Sequence, residues 1–332
     1  METAKSHEVA VKPSSEGCAN GAGERKGMVI LMKEVHRGKK VKRSPLDQFA
    51  QILIYIIVGA FAITTVLPFL YVVAGSFATE AELTQRSFFI IPHEFSLNAY
   101  KYIITSGDIF KGLKNSIFLT VVGTFVDMAL TTTFAYPLAR KDFKGRTTAL
   151  NLVIVTMLFS GGMIPSYLLV SSLGLLNSYG ALILPGAISA FNMVIVKNFF
   201  QELPRELEEA ARMDGSNDLG IFFKIVLPLS KPVLASISLF YAVGHWNDYF
   251  NAMIYITDSK KEVVQTVLRR IIFLAGGIDL NGESIDYGNL GVPPEKAVKM
   301  AATVVATVPI LLVYPFVQKY FTKGVMVGAV KG

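Results

Sequence analysis

Long stretches without any charged residue most constrain what this chain can fold into. No Asp, Glu, Lys or Arg occurs from Gln48 to Thr79, and none occurs from Thr147 to Val196. A helix that crosses a bilayer needs about 20 mostly apolar residues, so the first stretch accommodates one span and the second accommodates two. Charged residues form 17% of the chain and the mean hydropathy is +0.46, whereas soluble domains carry about 25% charged residues. The sequence therefore predicts a membrane protein.

Three further apolar segments raise the predicted number of spans to six. They are Asn115–Leu138, Ile225–Asn247 and Met300–Gln318, and turn-forming residues over Ser171–Gly180 divide the second charge-free stretch in two. The predicted fold class is an all-α membrane protein with six transmembrane helices over residues 45–332.

Residues 1–44 form a tail that is rich in Gly, Ser, Glu and Lys and is predicted to be disordered. Up to Arg43 it has ten Lys or Arg against five Asp or Glu, so it carries +5 of the net charge of +7. Basic residues just before a first span favour a cytoplasmic N-terminus and contact with anionic membrane lipid. Nucleic-acid binding is not expected, because no folded basic or aromatic-rich module accompanies the tail.

The short loops agree with this orientation. The loop Arg140–Arg146 holds four positive charges in seven residues and falls on the cytoplasmic side, whereas the turn Ser171–Tyr179 falls outside and has none. The C-terminus is also predicted to be cytoplasmic. The segment from about 250 to 299 is predicted to be an outer loop.

No residue pattern predicts catalysis, a metal site or a nucleotide site on this chain. Cys18 is the single cysteine, and the histidines lack metal-ligand spacing. The stretch Gly277–Ser284 resembles a phosphate-binding P-loop, but Glu283 stands where the lysine is required and would repel phosphate. We therefore expect no catalytic residue and no cofactor.

A polar island lies between the fourth and fifth predicted spans. Within it, Leu203, Leu207, Ala210 and Ala211 recur at helical spacing, and Arg205 with Glu209 and Glu208 with Arg212 form predicted i,i+4 pairs. Pro204 suits the first turn of a helix, and Asp214-Gly215 suits a turn. The pattern predicts a short surface helix within residues 202–220 with a second short helix from Asn217. An ordinary amphipathic connector has the same pattern.

The island also contains a spaced motif: Glu209-Ala210-Ala211, then Gly215 after three residues, then Ile225-x-Leu227-Pro228 after nine more. This spacing resembles the EAA coupling motif of ABC-importer permeases, the membrane subunits that dock onto a separate ATPase. The resemblance implies a type I ABC-importer permease fold. It also implies ATPase-coupling roles for Glu209, Ala210, Ala211, Asp214, Gly215, Ile225, Leu227 and Pro228.

Two further features refine the resemblance. Trp246-Asn247-Asp248-Tyr249-Phe250 is similar to a signature of carbohydrate permeases of the maltose type, and Phe159–Tyr167 with Lys323–Gly332 resembles the LplC/YtcP branch. That branch implies import of oligosaccharides released from plant polysaccharides, through a bacterial cell membrane. The implied partners are a second homologous permease, two ATPase subunits that bind ATP and Mg²⁺, and an extracellular solute-binding protein, expected to be a lipoprotein. In maltose-type permeases the loop before the last span reaches into the binding protein, which here points to Gly276–Pro294.

Candidate substrate-pathway residues cluster at the outer end of the fifth span. Sugars are held by aromatic faces with amide and hydroxyl partners, which makes candidates of Tyr241, His245, Trp246 and Asn247, and less strongly of Tyr167 and Asn177. Aromatic residues also populate membrane interfaces for packing alone. The buried charge of Asp127 is interpreted as a structural acid paired with a neighbouring helix or subunit, with a substrate role as the alternative.

Two other functions stay open. One is a permease of the same fold that carries another solute, such as amino acids or a metal, although the Trp246-Asn247 signature argues against it. A self-contained secondary transporter predicts paired ionisable residues in several spans and inverted repeats. Only Asp127 lies deep in a predicted span, and no internal repeat is visible.

Overall fold

The computed structural model describes residues 45–105, 109–277 and 294–329. The predicted tail, the P-loop-like stretch and most of the candidate loop Gly276–Pro294 lie outside the described residues. The chain divides into two compact units at Thr64. The first unit holds the beginning of the first helix, and the second holds all candidate site residues.

The described residues are helical, with an isolated bridge between Ala78 and Phe95 in place of any sheet. The α-helices are Pro45–Ser76 (α1), Glu80–Gln85 (α2), Asn98–Thr105 (α3), Ile109–Ala139 (α4), Arg146–Leu158 (α5), Met163–Ser172 (α6), Gly180–Ile183 (α7), Ala190–Glu202 (α8), Arg205–Met213 (α9), Asp218–Ile221 (α10), Leu227–Leu229 (α11), Lys231–Trp246 (α12), Phe250–Tyr255 (α13), Val264–Ala275 (α14) and Glu295–Ala329 (α15). A 3₁₀ turn over Leu184–Gly186 follows α7, and a π-helix over Phe222–Val226 follows α10.

Within the described part of the chain, three helices are long and apolar enough to cross a membrane by themselves: α1, α4 and α15. Three bent pairs meet the same criterion together. The bends are 119° between α5 and α6, 53° between the α7 segment and α8, and 82° between Asp218–Leu229 and α12. The predicted all-α membrane architecture is confirmed, and six spans result when each bent pair is counted as one.

The fifth span is not the single helix predicted over Ile225–Asn247. The chain bends at Ser230, whose amide donates to the carbonyls of Val226 and Leu227, and α12 begins at Lys231. Pro232 lies in the first turn of α12, where its missing N–H costs nothing and its ring opposes a continuous helix from the preceding turn.

The segment predicted to be an outer loop contains two helices, α13 and α14. Val264, Val267, Leu268 and Ile271 are buried at the spacing of one helix face. They pack in a cluster with residues of α15 such as Ala301. The prediction of a loop over this segment is wrong at α13 and α14, because the sequence of α14 has a helical apolar spacing that precedes the Gly and Asp residues.

Helix α4 connects the two ends of the second unit. Its last residues pack in one core cluster with α8 and Phe222, and its first residues pack with α14. With 31 residues and a rise of about 1.5 Å per residue, α4 is about 45 Å long. The polar island and the segment around α14 therefore lie at opposite ends of the same helix.

Candidate functional site

The coupling segment begins with α9, whose ends follow from its sequence. Pro204 occupies the N-cap position, one residue before the predicted first turn, and Glu206 and Glu208 lie in the first turn of the helix. Carboxylates there are stabilised by the positive end of the helix dipole. The helix ends after Met213.

Gly215 ends α9 with a left-handed residue. Its φ is +81°, its amide donates to the carbonyl of Arg212 at 3.0 Å, and the Ser216 amide donates to the carbonyl of Ala211 at 2.9 Å. These two bonds are those of a Schellman motif, in which glycine avoids the steric cost of positive φ. The Asn217 side chain then accepts from the Gly220 amide at 2.7 Å and caps α10.

The motif residues divide into an exposed set and an anchored set. Ala211 is only 8% exposed and packs in the core cluster at this end of α4, and Ile225 and Leu227 pack half-buried against it. The exposed residues are Glu209, Ala210, Asp214, Gly215 and Pro228. A partner can approach Ala210 closely, whereas Ala211 is already covered by this chain.

Two adjacent glutamates of α9 have different environments. Glu208 forms an ion pair with Arg140 at 2.5 Å, in which the two side chains are 15% and 17% exposed. Glu209 is exposed. The predicted pairs differ from those observed, because Glu208 pairs with Arg140 and Arg212 pairs with Asp218 at 3.1 Å. The hydrogen bond to Asp218 raises the pKa of Arg212 above its usual value.

Arg140 connects α9 to the end of α4, because it contacts residues of both helices. Its guanidinium lies 4.8 Å from the ring centroid of Tyr136, one turn earlier on α4, and donates a hydrogen bond to the Tyr136 hydroxyl. A cavity of about 640 Å³ lies beside this contact, between α9 and the turn that joins α4 to α5. Its charged lining includes Arg140, Lys141, Asp142, Arg146, Arg205, Glu208, Glu209 and Arg212. Sequence reasoning missed the contact, because residues 140 and 208 meet only through the fold.

The pathway candidates on α12 are largely occupied by contacts with neighbouring helices. The hydroxyl of Tyr241 lies 2.7 Å from the Thr131 hydroxyl and accepts from the Ser189 amide at 3.0 Å. His245 Nε2 lies 2.7 Å from Asp127 Oδ2. Asp127 thus pairs with a neighbouring helix, in agreement with its structural interpretation.

Gly123 makes the approach of His245 to α4 possible. A Cβ atom at position 123 would lie 2.5 Å from His245 Nε2, which is closer than packed atoms tolerate. Among the described residues, the second carboxylate oxygen of Asp127 is buried without a hydrogen-bond partner. The pair is therefore held by the close packing of the helices as well as by its hydrogen bond.

Trp246 and Asn247 lie at the end of α12 and differ in exposure. Trp246 is 7% exposed, and its indole N–H donates to the carbonyl of Ala306 on α15 at 3.1 Å. Asn247 is exposed. At the next residue, burial raises the pKa of Asp248 above its usual range, and hydrogen bonds from Asn251 oppose this rise.

The remaining two candidates contact the region of α13 rather than α12. The ring of Tyr167 stacks on Tyr255 with centroids 6.2 Å apart. Asn177 has φ of +58°, and its side-chain oxygen accepts from the amides of Thr257 at 3.3 Å and Asp258 at 3.0 Å. The structure therefore does not gather the six pathway candidates into one pocket. Within the described ranges, no group of three or more His, Cys, Asp or Glu is arranged to hold a metal ion.

Comparisons with known proteins agree with this architecture. Residues 38–327 match the family of binding-protein-dependent transport system inner membrane components. The protein LplC of Bacillus subtilis is 54% identical over 301 residues, which cover 91% of this chain and 100% of LplC. The Bacillus subtilis polygalacturonan/rhamnogalacturonan transport system permease protein YtcP is 54% identical over 86% of this chain and 99% of YtcP. The predicted resemblance to the LplC/YtcP branch is confirmed.

A solved structure shares the fold. A chain in the crystal structure of a bacterial ABC transporter involved in the import of the acidic polysaccharide alginate matches with a TM-score of 0.74 and 31% identity. The match covers 84% of this chain and 99% of that chain.

Proposed function

This chain belongs to the family of binding-protein-dependent transport system inner membrane components, and from that membership we propose that it is the permease subunit of an ATP-driven oligosaccharide importer. The observation that carries the proposal is the 54% identity to YtcP over 99% of that permease. The chain is a multi-pass membrane protein. We propose that it lies in a bacterial cell membrane with both termini in the cytoplasm.

The coupling segment is proposed to receive the ATPase. Glu209, Ala210 and Gly215 are exposed, and Glu209 lines a cavity that is also lined by several arginines. A compact helix or loop of a partner therefore has both a surface and charged groups to bind. Ala211, Ile225 and Leu227 pack on this chain and hold that surface in place. ATP and Mg²⁺ belong to the partner in this proposal, and no chemical step occurs on this chain.

A movement of α9 would be transmitted to the membrane-spanning helices through Arg140. Since Glu208 is paired with Arg140 and Arg140 with Tyr136, a displacement of α9 acts directly on the end of α4. Helix α4 in turn contacts α12 through Thr131–Tyr241 and Asp127–His245. ATP-driven closure of the ATPases thereby biases the pathway between inward-open and outward-open states.

The remaining partners are proposed from the family. They are a second homologous permease, a second ATPase subunit, and an extracellular solute-binding protein that delivers the sugar. The name of YtcP refers to polygalacturonan and rhamnogalacturonan transport, which supports oligosaccharides from polysaccharide breakdown as the cargo here.

Uptake by intact cells tests this function. Cells that lack the chromosomal copy, supplied with this chain or with an empty vector, are given labelled oligogalacturonates and labelled maltose-type oligosaccharides. ATP-dependent uptake of an oligosaccharide that requires this chain is the expected result. Uptake that persists after ATP depletion, or uptake of amino acids or metal ions alone, would contradict the proposal.

A further inference from the structure

A groove at the end of α4 opposite the coupling segment contains an arginine with an unusual setting. Arg269 of α14 is exposed, and its guanidinium carbon lies 5.1 Å from the ring centroid of Tyr249 and 5.0 Å from that of Phe273. Two aromatic rings thus flank one cation. Contact with two aromatic rings restricts the orientation of the guanidinium plane.

Among the described residues, no carboxylate lies within ion-pair distance of Arg269. Arg269 contacts the sulfur of Met253 through its guanidinium. The next residue provides a contrast, because Arg270 pairs with Glu262 at 3.0 Å. A cation that is oriented by aromatic rings and not neutralised is suited to bind an anionic group from outside.

The rest of the groove offers groups that suit a sugar. Beside Arg269 and Tyr249, the lining includes Gln265, Thr303 and Thr307. Amide and hydroxyl groups exchange hydrogen bonds with sugar hydroxyls, and an exposed aromatic ring covers the apolar face of a pyranose. The groove measures about 600 Å³.

The groove adjoins the predicted pathway residues. It offers the aromatic contact to a sugar that the sequence predicted at Trp246. Trp246 is buried with its N–H bonded to Ala306, so its ring faces are not open to a sugar. Tyr249 belongs to the same motif and lines the groove. Gln265 donates to the carbonyl of Trp246 at 3.3 Å, which fixes the groove to the end of α12.

We propose that this groove is a subsite for a carboxylate-bearing sugar unit, in which Arg269 binds the carboxylate and Tyr249 or Phe273 contacts the ring. The proposal rests on the proposed oligosaccharide import and adds that the cargo is acidic, with uronate units. An arginine matches a carboxylate with two parallel hydrogen bonds, which a neutral sugar or a methyl ester does not reproduce.

The test compares two substrates of the complete transporter that differ only in charge. Initial uptake rates of a labelled oligogalacturonate and of its methyl ester are measured in cells that carry wild-type chain, Arg269→Gln, Arg269→Lys or the control Arg270→Gln. The abundance of each variant in the membrane is determined from the same cells. All variants work with the same binding protein. The preference of that protein for the acid or the ester therefore cancels when the uptake rate of each variant is divided by the wild-type rate.

The expected result is specific to the acid. Charge-assisted hydrogen bonds are worth about 1.5–3 kcal/mol, so Arg269→Gln should raise KM for the acid by about tenfold to a hundredfold. It should leave KM for the ester within about twofold of wild type, well below the tenfold that 1.4 kcal/mol produces. Arg269→Lys keeps the positive charge but lacks the planar guanidinium. Its KM for the acid should therefore lie between the values for wild type and Arg269→Gln. Arg270→Gln should change both substrates equally.

Three outcomes would overturn the subsite. Unchanged KM for the acid in Arg269→Gln would show that the arginine binds no substrate. Equal effects on acid and ester would assign Arg269 to a lipid phosphate, a partner permease or the binding protein. Wild-type cells that take up neither compound but import another oligosaccharide would overturn the acidic cargo. All three outcomes leave the oligosaccharide function intact, and the uptake test above decides that function separately.

Discussion

The coupling segment and the middle of the helix bundle both contain polar residues, but they use them differently. In the middle, Asp127 and His245 bind each other, and each is at most 9% exposed. At the coupling segment, Glu208 is bound within the chain while the adjacent Glu209 is exposed. Polar residues whose partners lie on this chain position helices, and polar residues left exposed beside them are available to other molecules.

The largest expected effect comes from the buried pair. Asp127→Ala leaves His245 buried without its hydrogen-bond partner, and a buried polar group left unsatisfied typically costs about 1–3 kcal/mol. We expect a clear drop in the melting temperature of the purified protein in detergent. Glu209→Ala should leave the melting temperature unchanged and weaken association with the ATPase.

The comparison between the buried pair and the exposed glutamate is contradicted if Asp127→Ala and Glu209→Ala have the same melting temperature. Equal melting temperatures for Asp127→Ala and wild type would show that the pair does not stabilise the bundle. A double-mutant cycle of Asp127→Asn with His245→Gln should give a coupling energy of about 0.5 kcal/mol or more, as expected for residues in contact.

The next effect concerns the turn after α9. Gly215→Leu places a side chain at positive φ, which costs about 1–2 kcal/mol and opposes the Schellman motif. Since the Cβ position is open, the variant should remain in the membrane but lose sugar uptake. Gly174→Leu is the matched control, because Gly174 also has positive φ and an open Cβ position but lies in the turn after α6.

Uptake and membrane abundance of both glycine variants decide the point. Normal uptake by Gly215→Leu would contradict the coupling role of this turn. Equal loss of uptake in both variants would mean that backbone strain alone, and not its position, is responsible.

A smaller effect is expected from the contact between α9 and α4. Arg140→Glu opposes Glu208 with a like charge, and a loss of about 1 kcal/mol corresponds to roughly a fivefold change in an equilibrium. We expect roughly that rise in ATP hydrolysed per sugar transported in proteoliposomes, with the ATPase still bound. The charge swap Arg140→Glu with Glu208→Arg should restore the ratio in part.

The control for this contact is the exposed pair of Arg212 and Asp218, whose side chains are 46% and 71% exposed. Exposed pairs contribute little, typically below about 1 kcal/mol. Asp218→Asn should therefore change the ratio of ATP to sugar much less than Arg140→Glu. The reverse order would show that α9 does not act through α4.

The smallest effect concerns a carboxylate outside the middle of the bundle. It tests whether a full set of hydrogen bonds, rather than a position deep in the bundle, identifies a carboxylate that stabilises the fold. Glu82 of α2 accepts from the backbone amides of His93 and Glu94, and pairs with Arg86 at 2.5 Å. The backbone hydrogen bond from His93 contributes most to lowering the pKa of Glu82 below its usual value. A lowered pKa contributes stability at pH above the ordinary glutamate value of about 4.3, and that stability is lost as the pH falls below it.

Hydrogen exchange measures this contribution. Corrected for the intrinsic rate, protection of the His93 and Glu94 amides should be constant from about pH 7 to 5 and decline below about 4.3. Glu82→Gln should lower protection across the whole range. Unchanged protection in that variant would mean that the carboxylate does not hold this segment.

Much of the fold could be predicted from the sequence because bilayer spans depend on local composition. The charge-free stretches around α1 and over residues 147–196 require only counting. The bends could not be predicted in the same way. The 82° bend before α12 depends on Ser230 and Pro232 in the folded chain. A hydropathy profile does not predict such a bend.

The candidate site was predictable in part for a related reason. The positions of Glu209 and Gly215 follow from a fixed spacing within one segment, and the left-handed Gly215 agrees with the turn expected there. The pairing of Arg140 with Glu208 and the contact of Arg269 with Tyr249 join residues that are distant in the sequence and meet only in the folded chain. Local patterns contain no record of such contacts.

The central claim is that this chain supplies the membrane pathway and another chain supplies the ATPase. Affinity purification of the full-length chain from its native membrane in mild detergent, followed by mass spectrometry, tests it most directly. The claim predicts that a second permease and a P-loop ATPase are recovered with wild type, and that less ATPase is recovered with Glu209→Ala. Recovery of the chain alone or as a homo-oligomer, without an ATPase in any mild detergent, would contradict it.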